Sequence, residues 1–328
     1  MNQYSNYGNN EDSSGLNVSV IGVGGGGNNS INRLSRIGVY GARTIAVNTD
    51  KEHLKNIQSD TKMLIGKDCN RGLGTGGDPN VGMRCAEAAY GGFKKIIGDS
   101  DLVFITAGMG GGTGTGAAPV IAEIARREKA MVISIATMPF SVEGNRRETA
   151  KKGVRRLREY SNSMILLEND KLLEVVPDLP MDQAFGIMDS LISELIKSVT
   201  EIITLPSLIN LDYNDLKSVL GDGGISTLMI GESSYDEPKK AVQQASENPF
   251  LNVDYTGAKK ALIHVTGGPN LSISKMNDVV RMMTSKLDPK AGVIFGARID
   301  EECKNKIKLM SIVTGLNSRS KKKMKTIT

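Results

Sequence analysis

The sequence predicts an α/β protein: a helix-covered parallel sheet, a long central helix and a smaller α/β domain. Mostly apolar segments at 17–23, 101–108 and 130–140 are typical of strands buried on both faces of a parallel sheet. Segment 181–206 keeps apolar residues at helical spacing, and about 23 residues of helix would span roughly 35 Å. Strand and helix patterns alternate again beyond it, so the 328 residues predict two domains.

The first domain is predicted to alternate strands with helices. Its strands are expected at 17–23, 42–50, 101–108 and 130–140. Its helices are expected at 28–38, from Asp78-Pro79 to about 97, within 111–129 and at 142–160. Pro119 fits the first turn of the third helix, where a missing N–H costs little.

Pro206 ends the long helix, and the second domain follows it. Its predicted strands lie near 225–231, 260–266, 291–298 and 306–313, and its helices near 213–220, 236–247 and 275–286. The predicted division of the chain is a disordered tail (1–16), a nucleotide-binding domain (17–180), the central helix (181–206), a C-terminal domain (207–316) and a basic disordered tail (317–328).

Composition excludes several classes of protein. The chain is 39% hydrophobic and 23% charged, which is typical of globular proteins. No apolar run reaches the length of a transmembrane helix, and the start lacks the pattern of a signal peptide. Cys69, Cys85 and Cys303 lie far apart without CxxC spacing, which predicts a reduced cytoplasmic protein without disulfides or zinc. Of the two histidines, His264 is expected to be a strand residue with satisfied hydrogen bonds, and no metal ligand is predicted.

The net charge of +5 is located at the end of the chain. Residues 317–328 carry five basic side chains and no acidic one, so the remaining charges sum to zero. A neutral body argues against a nucleic-acid partner. The basic tail is expected to be solvated, or to give weak, salt-sensitive contact with an anionic membrane or acidic partner.

Three glycine-rich segments predict contact with phosphates: GVGGGGNN (22–29), GLGTGGDPN (72–80) and GMGGGTGTGAAP (108–119). Two of them follow a strand and open a helix, where backbone N–H groups and the helix N-terminus attract anions. The first alone fits GxGxxG, so a dinucleotide-dependent oxidoreductase is one alternative. Three such loops without GxxxxGK[ST] favour a triphosphate held by backbone and a bound cation. The predicted contacts in these loops are Gly24, Gly25, Gly26, Gly27, Gly74, Gly110, Gly111, Gly112, Thr113, Gly114, Thr115 and Gly116.

GGGTGTG at 110–116 is the tubulin signature, and the whole set of motifs resembles FtsZ, the bacterial and archaeal relative of tubulin. The glycine loops, NTD (48–50), PFSVEGNRR (139–147), ENDKLL (168–173) and NLDYND (210–215) occur in the family order over residues 17–316. The resemblance implies a tubulin-type GTP-binding domain, GTP with Mg²⁺, and head-to-tail self-assembly. It further implies a cytoplasmic division ring at mid-cell, with anchoring or regulatory partners. A GTP-binding filament protein that does not hydrolyse GTP is the second alternative.

Phe185 and Asp189 lie four residues apart on one face of the predicted long helix. An aromatic ring can stack on a base, and a carboxylate can accept both N1–H and N2–H of guanine. The alternative is a core phenylalanine and a solvated aspartate. Resemblance to FtsZ places both at the guanine, with an aspartate that is similar to the archaeal pattern. It also places Asn28, Asn48 and Asn169 at the nucleotide.

Glu143 and Arg147 are also four residues apart, near a predicted helix start. Spacing alone allows a surface ion pair. The resemblance instead implies that Glu143 holds the ribose and Arg147 reaches the sugar and base.

The motif NLDYND contains Asn210, Asp212 and Asp215. By spacing, Asp212 would cap a helix whose third residue is Asp215. The resemblance implies that the acids enter the nucleotide site of the next subunit and polarise the attacking water.

FtsZ proteins of bacteria commonly end in a linker and an anchor peptide, whereas this sequence ends shortly after the predicted fold.

Overall fold

The computed structural model describes residues 15–221, 226–251 and 254–315. Six parallel strands form the sheet of the first domain: β1 (Val18–Val23), β2 (Ala42–Asn48), β3 (Thr61–Leu64), β4 (Leu102–Gly108), β5 (Met131–Met138) and β6 (Ser163–Glu168). Their order is β3-β2-β1-β4-β5-β6, so the chain winds outward in opposite directions from the central pair. In a parallel sheet, the carboxyl ends of such a pair open a crevice for a ligand.

Helices cover both faces of this sheet. They are α1 (Gly24–Ile37), α2 (Lys51–Lys55), α3 (Lys67–Asn70), α4 (Pro79–Ala88), α5 (Tyr90–Ile97), α6 (Gly112–Arg127), α7 (Asn145–Glu159), α8 (Asp170–Val175) and α9 (Met181–Thr204). Apolar residues of α1 and α9 pack on one face, and those of α4 to α7 pack on the other. The central position of β1 and β4 between these layers explains their nearly continuous burial.

The helix starts differ from the predictions because the glycines themselves are helical. The helix predicted to begin at residue 28 begins at Gly24, and Pro119 is an interior residue of α6 instead of a first-turn residue. A Cβ on Gly27 would lie 2.2 Å from the Thr106 carbonyl oxygen, and one on Gly116 would lie 2.0 Å from that of Pro79. These glycines therefore allow helices to pack directly against neighbouring backbone.

The second domain contains a mixed sheet of four strands. The strands are β7 (Thr227–Ser234), β8 (Lys260–Gly267), β9 (Gly292–Ile299) and β10 (Lys306–Thr314), in the order β7-β10-β8-β9. β10 runs antiparallel to β7 and β8, while β8 and β9 are parallel. α10 (Tyr213–Leu220) precedes the sheet, and α11 (Pro238–Glu247) and α12 (Ile273–Thr284) pack on the face opposite α9.

His264 is a buried residue of β8, as predicted. Its hydrogen bonding differs from the prediction. Its Nδ1 lies 3.4 Å from the Thr266 hydroxyl, while its Nε2 has no hydrogen-bond partner in the described chain. The prediction of satisfied hydrogen bonds is therefore confirmed for Nδ1 and contradicted for Nε2. Burial, and secondarily the charge of Arg298, lowers its pKa to about 4, so the ring is neutral near pH 7.

Several predictions fall partly outside the described residues. The basic tail at 317–328, most of the tail at 1–16 and the first residue of the strand predicted at 225–231 belong to this group. Strands β3 and β6 and the short helices α2, α3 and α8 were not predicted from the sequence. Within the described ranges, none of the helices is long and apolar enough to cross a bilayer.

Candidate nucleotide-binding site

A cavity of about 690 Å³ opens at the carboxyl ends of β1 and β4, where the strand order reverses. Its volume is typical of small-molecule sites. It is lined by Gly25, Gly26, Asn29, Ser30, Thr75, Thr106, Gly108, Met109, Gly111, Gly112, Thr113, Gly114, Thr137, Pro139, Phe140, Glu143, Arg146, Asn169, Met181, Phe185, Met188, Asp189 and Ile192. The cavity thus extends from the glycine loops to one face of the central helix.

Two helix N-termini meet at the glycine end of the cavity. α1 begins at Gly24 and α6 at Gly112, and a Cβ on Gly24 would lie 2.9 Å from the Gly114 nitrogen. Neither helix has an acidic residue in its first turn. Unpaired N–H groups and two adjacent positive helix ends create an anion site that suits a chain of phosphates.

Some of the predicted glycines line the cavity, and the others do not. Gly25, Gly26 and Gly111 line the cavity, and a Cβ on Gly111 would meet no atom within 4 Å. Gly112 and Gly114 line it and also pack tightly against neighbouring groups. The lining does not include Gly24, Gly27, Gly74, Gly110 or Gly116. Helix packing therefore accounts for part of the glycine content that phosphate contact alone was expected to explain.

The two threonines of the second glycine loop have different hydrogen bonds. The Thr113 hydroxyl lines the cavity and lies 2.7 Å from the Thr49 hydroxyl. The Thr115 hydroxyl accepts a hydrogen bond of 2.8 Å from the Gly110 nitrogen inside the loop. Thr113 is therefore the threonine of the two that lines the cavity, whereas the Thr115 hydroxyl fixes the loop itself.

Asn48 and Gly74 make hydrogen bonds to the turn that follows β2. The Asn48 Oδ1 accepts hydrogen bonds from the Thr49 and Asp50 nitrogens at 2.9 and 3.3 Å. The Gly74 nitrogen donates to the Thr49 carbonyl oxygen at 3.1 Å. These bonds fix the turn after β2 and the segment that brings Thr75 into the cavity lining.

The other end of the cavity is formed by the central helix. Phe185 and Phe140 lie with their ring centroids 6.0 Å apart at an angle of 58°. The Ser30 hydroxyl donates a 2.7 Å hydrogen bond to Asp189 Oδ1. Burial raises the pKa of Asp189 to about 6, against the weaker lowering effects of Ser30 and Arg33. A carboxylate that is poorly solvated beside an aromatic ring has the chemistry to bind a base with two N–H donors.

The two asparagines at 28 and 29 differ sharply in position. Asn28 is fully buried and donates through Nδ2 to the Val47 carbonyl oxygen at 3.1 Å, and its Oδ1 has no partner in the described chain. Asn29, which was not predicted as a contact, is exposed and lines the cavity. The unpaired Oδ1 of Asn28 is an acceptor that a ligand donor could satisfy, whereas Asn29 faces the cavity directly.

Glu143 is fixed by its neighbours in the cavity wall. Its Oε1 accepts a 2.9 Å hydrogen bond from the Phe140 nitrogen, and Oε2 pairs with Arg146. The ion pair that spacing suggested with Arg147 is therefore made with Arg146, which also lines the cavity. The motif PFSVEGNRR contained both arginines, and helical spacing alone did not distinguish them.

Arg147 is directed away from the lining into a network of acids. It contacts Glu168 at 3.0 Å and Asp170 at 2.7 Å. Asn169, between those two acids, does line the cavity and is the N-cap residue of α8. Arg147 thus holds the loop after β6 in place, and Asn169 is the residue of that loop that faces the ligand space.

Asp212 and Asp215 form a reciprocal capping box at the start of α10. The Asp215 nitrogen donates to Asp212 Oδ1 at 2.9 Å, and the Asp212 nitrogen donates to Asp215 Oδ2 at 3.0 Å. Asn210 is exposed, and its Oδ1 accepts from the Ser207 nitrogen at 2.6 Å. Each acid thus has one oxygen in the box.

These acids lie at the opposite end of the sheet from the cavity. The Tyr213 hydroxyl donates a 3.0 Å hydrogen bond to the carbonyl oxygen of Asp101, the residue immediately before β4. Gly108, the last residue of β4, lines the cavity. The seven residues of β4 separate these points by about 20 Å. The structure therefore does not bring Asp212 and Asp215 to the cavity of their own chain.

The oxygen groups at the glycine end fit a cation that arrives with phosphates. The lining there includes Thr75, Thr106 and Thr113, whose side chains carry hydroxyl groups. Among the described residues, no three His, Cys, Asp or Glu side chains are grouped to hold a metal. Mg²⁺ commonly takes its ligands from substrate phosphates and water with few protein groups, so a nucleotide-bound ion fits this donor set.

Comparison with known proteins agrees with this architecture. The GTPase domain of the Tubulin/FtsZ family matches residues 17–177, and the C-terminal domain of the FtsZ family matches residues 224–317. Cell division protein FtsZ 2 of Halobacterium salinarum is 48% identical over 302 residues, covering 92% of this chain and 77% of the relative. The chain belongs to the FtsZ family. It carries the family's GTPase domain, which implies GTP binding.

Another curated relative and two solved structures are also similar to this chain. Cell division protein FtsZ 2 of Methanocaldococcus jannaschii is 47% identical over 92% of this chain and 80% of its own. The structure described as an empty FtsZ dimer of M. jannaschii is 42% identical with a TM-score of 0.86, covering 93% of this chain and 89% of that one. The GTPγS-bound CetZ2 protofilament of Haloferax volcanii, at 20% identity and a TM-score of 0.78 over 95% and 99%, shares the fold.

Proposed function

We propose that this protein is a GTPase whose active site is completed by the next copy in a head-to-tail filament. The observation that carries the proposal is the placement of the cavity and the acids at opposite ends of β4. A subunit stacked end to end on another would bring one copy's acids to the other copy's cavity. Such a contact joins two different surfaces and does not close, so it repeats into a filament.

In the binding half, the phosphates lie on the N-termini of α1 and α6, near Gly25, Gly26 and Gly111. Glu143 holds the ribose, with Arg146 beside it. Phe185 packs on the guanine, and ionised Asp189 accepts its N1–H and N2–H. Adenine lacks that donor pair, so GTP is selected over ATP.

In the chemical half, Asp212 and Asp215 of the neighbouring copy orient a water molecule against the γ-phosphorus, and Asn210 helps to position it. Water attacks in line, the bond to the β-phosphate oxygen breaks, and GDP and phosphate are the products. The helix N-termini stabilise the charge that moves onto the phosphate oxygens. Mg²⁺, when bound with the nucleotide, neutralises phosphate charge. The capping box holds both carboxylates in fixed positions before assembly.

The surface around the cavity and the surface around the acids both expose apolar side chains of the kind that a subunit contact would cover. Leu73, Val142 and Met181 are 83%, 90% and 69% exposed. Met181 lines the cavity, and Leu73 and Val142 lie within two positions in the sequence of the lining residues Thr75 and Glu143. Leu208, in the loop that carries the acids, is 76% exposed. Contact between these two surfaces would exclude water from a site made of both.

The relatives are named cell division proteins, and we assign the same role here. The filament would form a cytoplasmic ring at mid-cell, with GDP weakening the subunit contact. Other proteins would anchor and regulate the ring.

A mixing experiment tests the shared site. Gly111→Glu places a negative side chain in open space at the phosphates and should abolish GTP binding while leaving the acids intact. Asp212→Asn should keep GTP binding but remove the acid. Each variant alone should be inactive, and a mixture should regain phosphate release wherever an intact cavity meets an intact acid.

The contrary outcomes separate the alternatives. A mixture as inactive as its components would contradict the shared site. Filaments of the native chain that bind GTP but release no phosphate would indicate the non-hydrolysing protein. Nicotinamide or flavin binding without GTP turnover would indicate the oxidoreductase.

A further inference from the structure

The fold brings together two cysteines that lie sixteen positions apart in the sequence. Cys69 is in α3 and Cys85 is in α4, and these helices contact each other. The Cys69 thiol is close enough to Cys85 to influence the pKa of the Cys85 thiol through charge and hydrogen bonding. The sequence predicted isolated cysteines because spacing in the chain gave no sign of this contact.

The two thiols differ in access to solvent. Cys69 is exposed, whereas Cys85 is fully buried in the core between the sheet and α4 to α7. Burial, followed by the effects of Cys69, raises the pKa of Cys85 to about 11, despite the lowering effect of Arg84. Cys85 is therefore a protonated donor near pH 7, and Cys69 is the thiol that reagents reach first.

The pair flanks the segment that connects α3 to α4, residues 71–78. In this segment Thr75 lines the nucleotide cavity. Its hydroxyl oxygen lies only 2.0 Å from the position that a Cβ on Gly112 would take, so the segment packs directly on the start of α6. α4 packs directly on α6, since a Cβ on Gly82 would lie 2.4 Å from the Gly112 carbonyl oxygen. A bond between Cys69 and Cys85 would therefore close a loop that touches the phosphate end of the cavity.

We propose that Cys69 and Cys85 are a thiol–disulfide switch that responds to small-molecule disulfides and restrains the 71–78 segment at the nucleotide cavity. The Cys69 thiolate attacks the reagent disulfide, forming a mixed disulfide and releasing one small thiol. Cys85 loses its proton and attacks the Cys69 sulfur, which displaces the second small thiol. The pair loses two electrons and two protons, and the reagent disulfide is reduced to two thiols.

The disulfide limits the motions open to the 71–78 segment, because its two ends become covalently joined. Thr75 of this segment lines the cavity together with Gly112 and Thr113, at the end where we place the phosphates. We therefore expect slower nucleotide release from the oxidised protein. This consequence, unlike disulfide formation itself, rests on the proposed GTPase function.

The first experiment treats the native full-length chain with oxidised glutathione and measures intact mass and free thiols. The expected product has lost two hydrogens and two alkylatable thiols, and dithiothreitol restores it. Cys69→Ser and Cys85→Ser should each prevent this product. Cys303→Ser is the matched control, because Cys303 is buried in the other domain and should not affect the reaction. A stable glutathione adduct, a disulfide-linked dimer or three unchanged thiols would overturn the proposal.

The second experiment measures the release of fluorescent mant-GDP from reduced and oxidised protein. Oxidation should slow release by about threefold or more, as expected for a segment that loses conformational freedom. Cys69→Ser should release at the reduced rate under both conditions, and its exposed position should spare the fold. Equal rates would overturn the coupling to the cavity. Disulfide formation without mant-GDP binding in either state would instead contradict the proposed function.

Discussion

The two edges of the first-domain sheet provide different chemistry. At the carboxyl edge, two helix N-termini and bare backbone surround a cavity. Among its lining residues the carboxylates are Glu143 and Asp189, and both are hydrogen-bonded within the wall. At the amino edge, Asp212 and Asp215 are held at a helix start beside Asp101. The first edge is suited to bind an anionic ligand, and we propose that the second acts on the nucleotide of a neighbouring copy.

Binding and hydrolysis should therefore be separable by mutation. Each edge can be changed while the other serves as an internal control.

Replacing either acid by its amide should eliminate most hydrolysis. Asp212→Asn and Asp215→Asn should lower GTP turnover by about a hundredfold or more, in the range seen when one electrostatic contact to a transition state is removed. GTP affinity of the dilute subunit should stay unchanged, since about 20 Å of β4 separates the acid from its own cavity. Phosphate release and equilibrium dialysis measure the two quantities. Loss of GTP binding in dilute Asp212→Asn would contradict the division.

At the carboxyl edge, Asp189→Ala should act on binding. Loss of a bidentate base contact costs about 1–3 kcal/mol, which corresponds to roughly tenfold to a hundredfold weaker GTP binding. Titration with GTP and ATP should show that the variant loses its preference for GTP. Native protein that binds both nucleotides equally would show that Asp189 does not select the base. Asp182→Ala, an exposed change near the start of α9, is a suitable control.

Acid should weaken GTP binding through the same side chain. Asp189 has a pKa of about 6, and only its ionised form accepts two guanine donors. Its ionised fraction, and with it the affinity for GTP, should fall about tenfold between pH 7 and pH 5 if the bound carboxylate stays ionised. In Asp189→Asn this component should be missing, because the amide does not titrate. Parallel pH profiles for native and variant proteins would refute this role.

The smallest effect should appear in stability and separates the cap from the chemistry. Asp212→Ala removes the N-cap of α10 and should lower the free energy of unfolding by about 1 kcal/mol. Asp212→Asn should keep that stability within about 0.5 kcal/mol, because asparagine caps as well as aspartate. Chemical denaturation measures both. If Asp212→Asn were as unstable as the alanine variant, its loss of turnover could not be assigned to chemistry.

Sequence reasoning predicted the sheet and its long helix because their signals are periodic. Apolar runs identified β1, β4 and β5, and helical spacing identified α9 with Phe185 and Asp189 on its cavity side. The short elements β3 and α3 lack enough residues to show a period. The strands and helices of the second domain were predicted, but the antiparallel direction of β10 was not. That direction depends on pairings between residues that are distant in the sequence.

The site was predicted less completely because neighbouring residues share motifs but not directions. Asn28 and Asn29 are adjacent, yet one is buried against Val47 and the other lines the cavity. Arg146 and Arg147 diverge in the same way around α7. The glycines also combined two purposes, since packing of α1 and α6 requires some of them and ligand space uses others. These distinctions depend on the tertiary environment.

The length of β4 also has a numerical consequence. If every complete site needs the cavity of one copy and the acids of another, a row of n copies has n−1 complete sites. An isolated copy has none, and one terminal copy in any row keeps a cavity that no acid reaches. Short rows would thus be poor catalysts per copy, and this terminal copy would retain its triphosphate longer than the interior ones. In the proposed filament, this strand would be the spacer that makes the lifetime of a bound triphosphate depend on the position of its copy in the row.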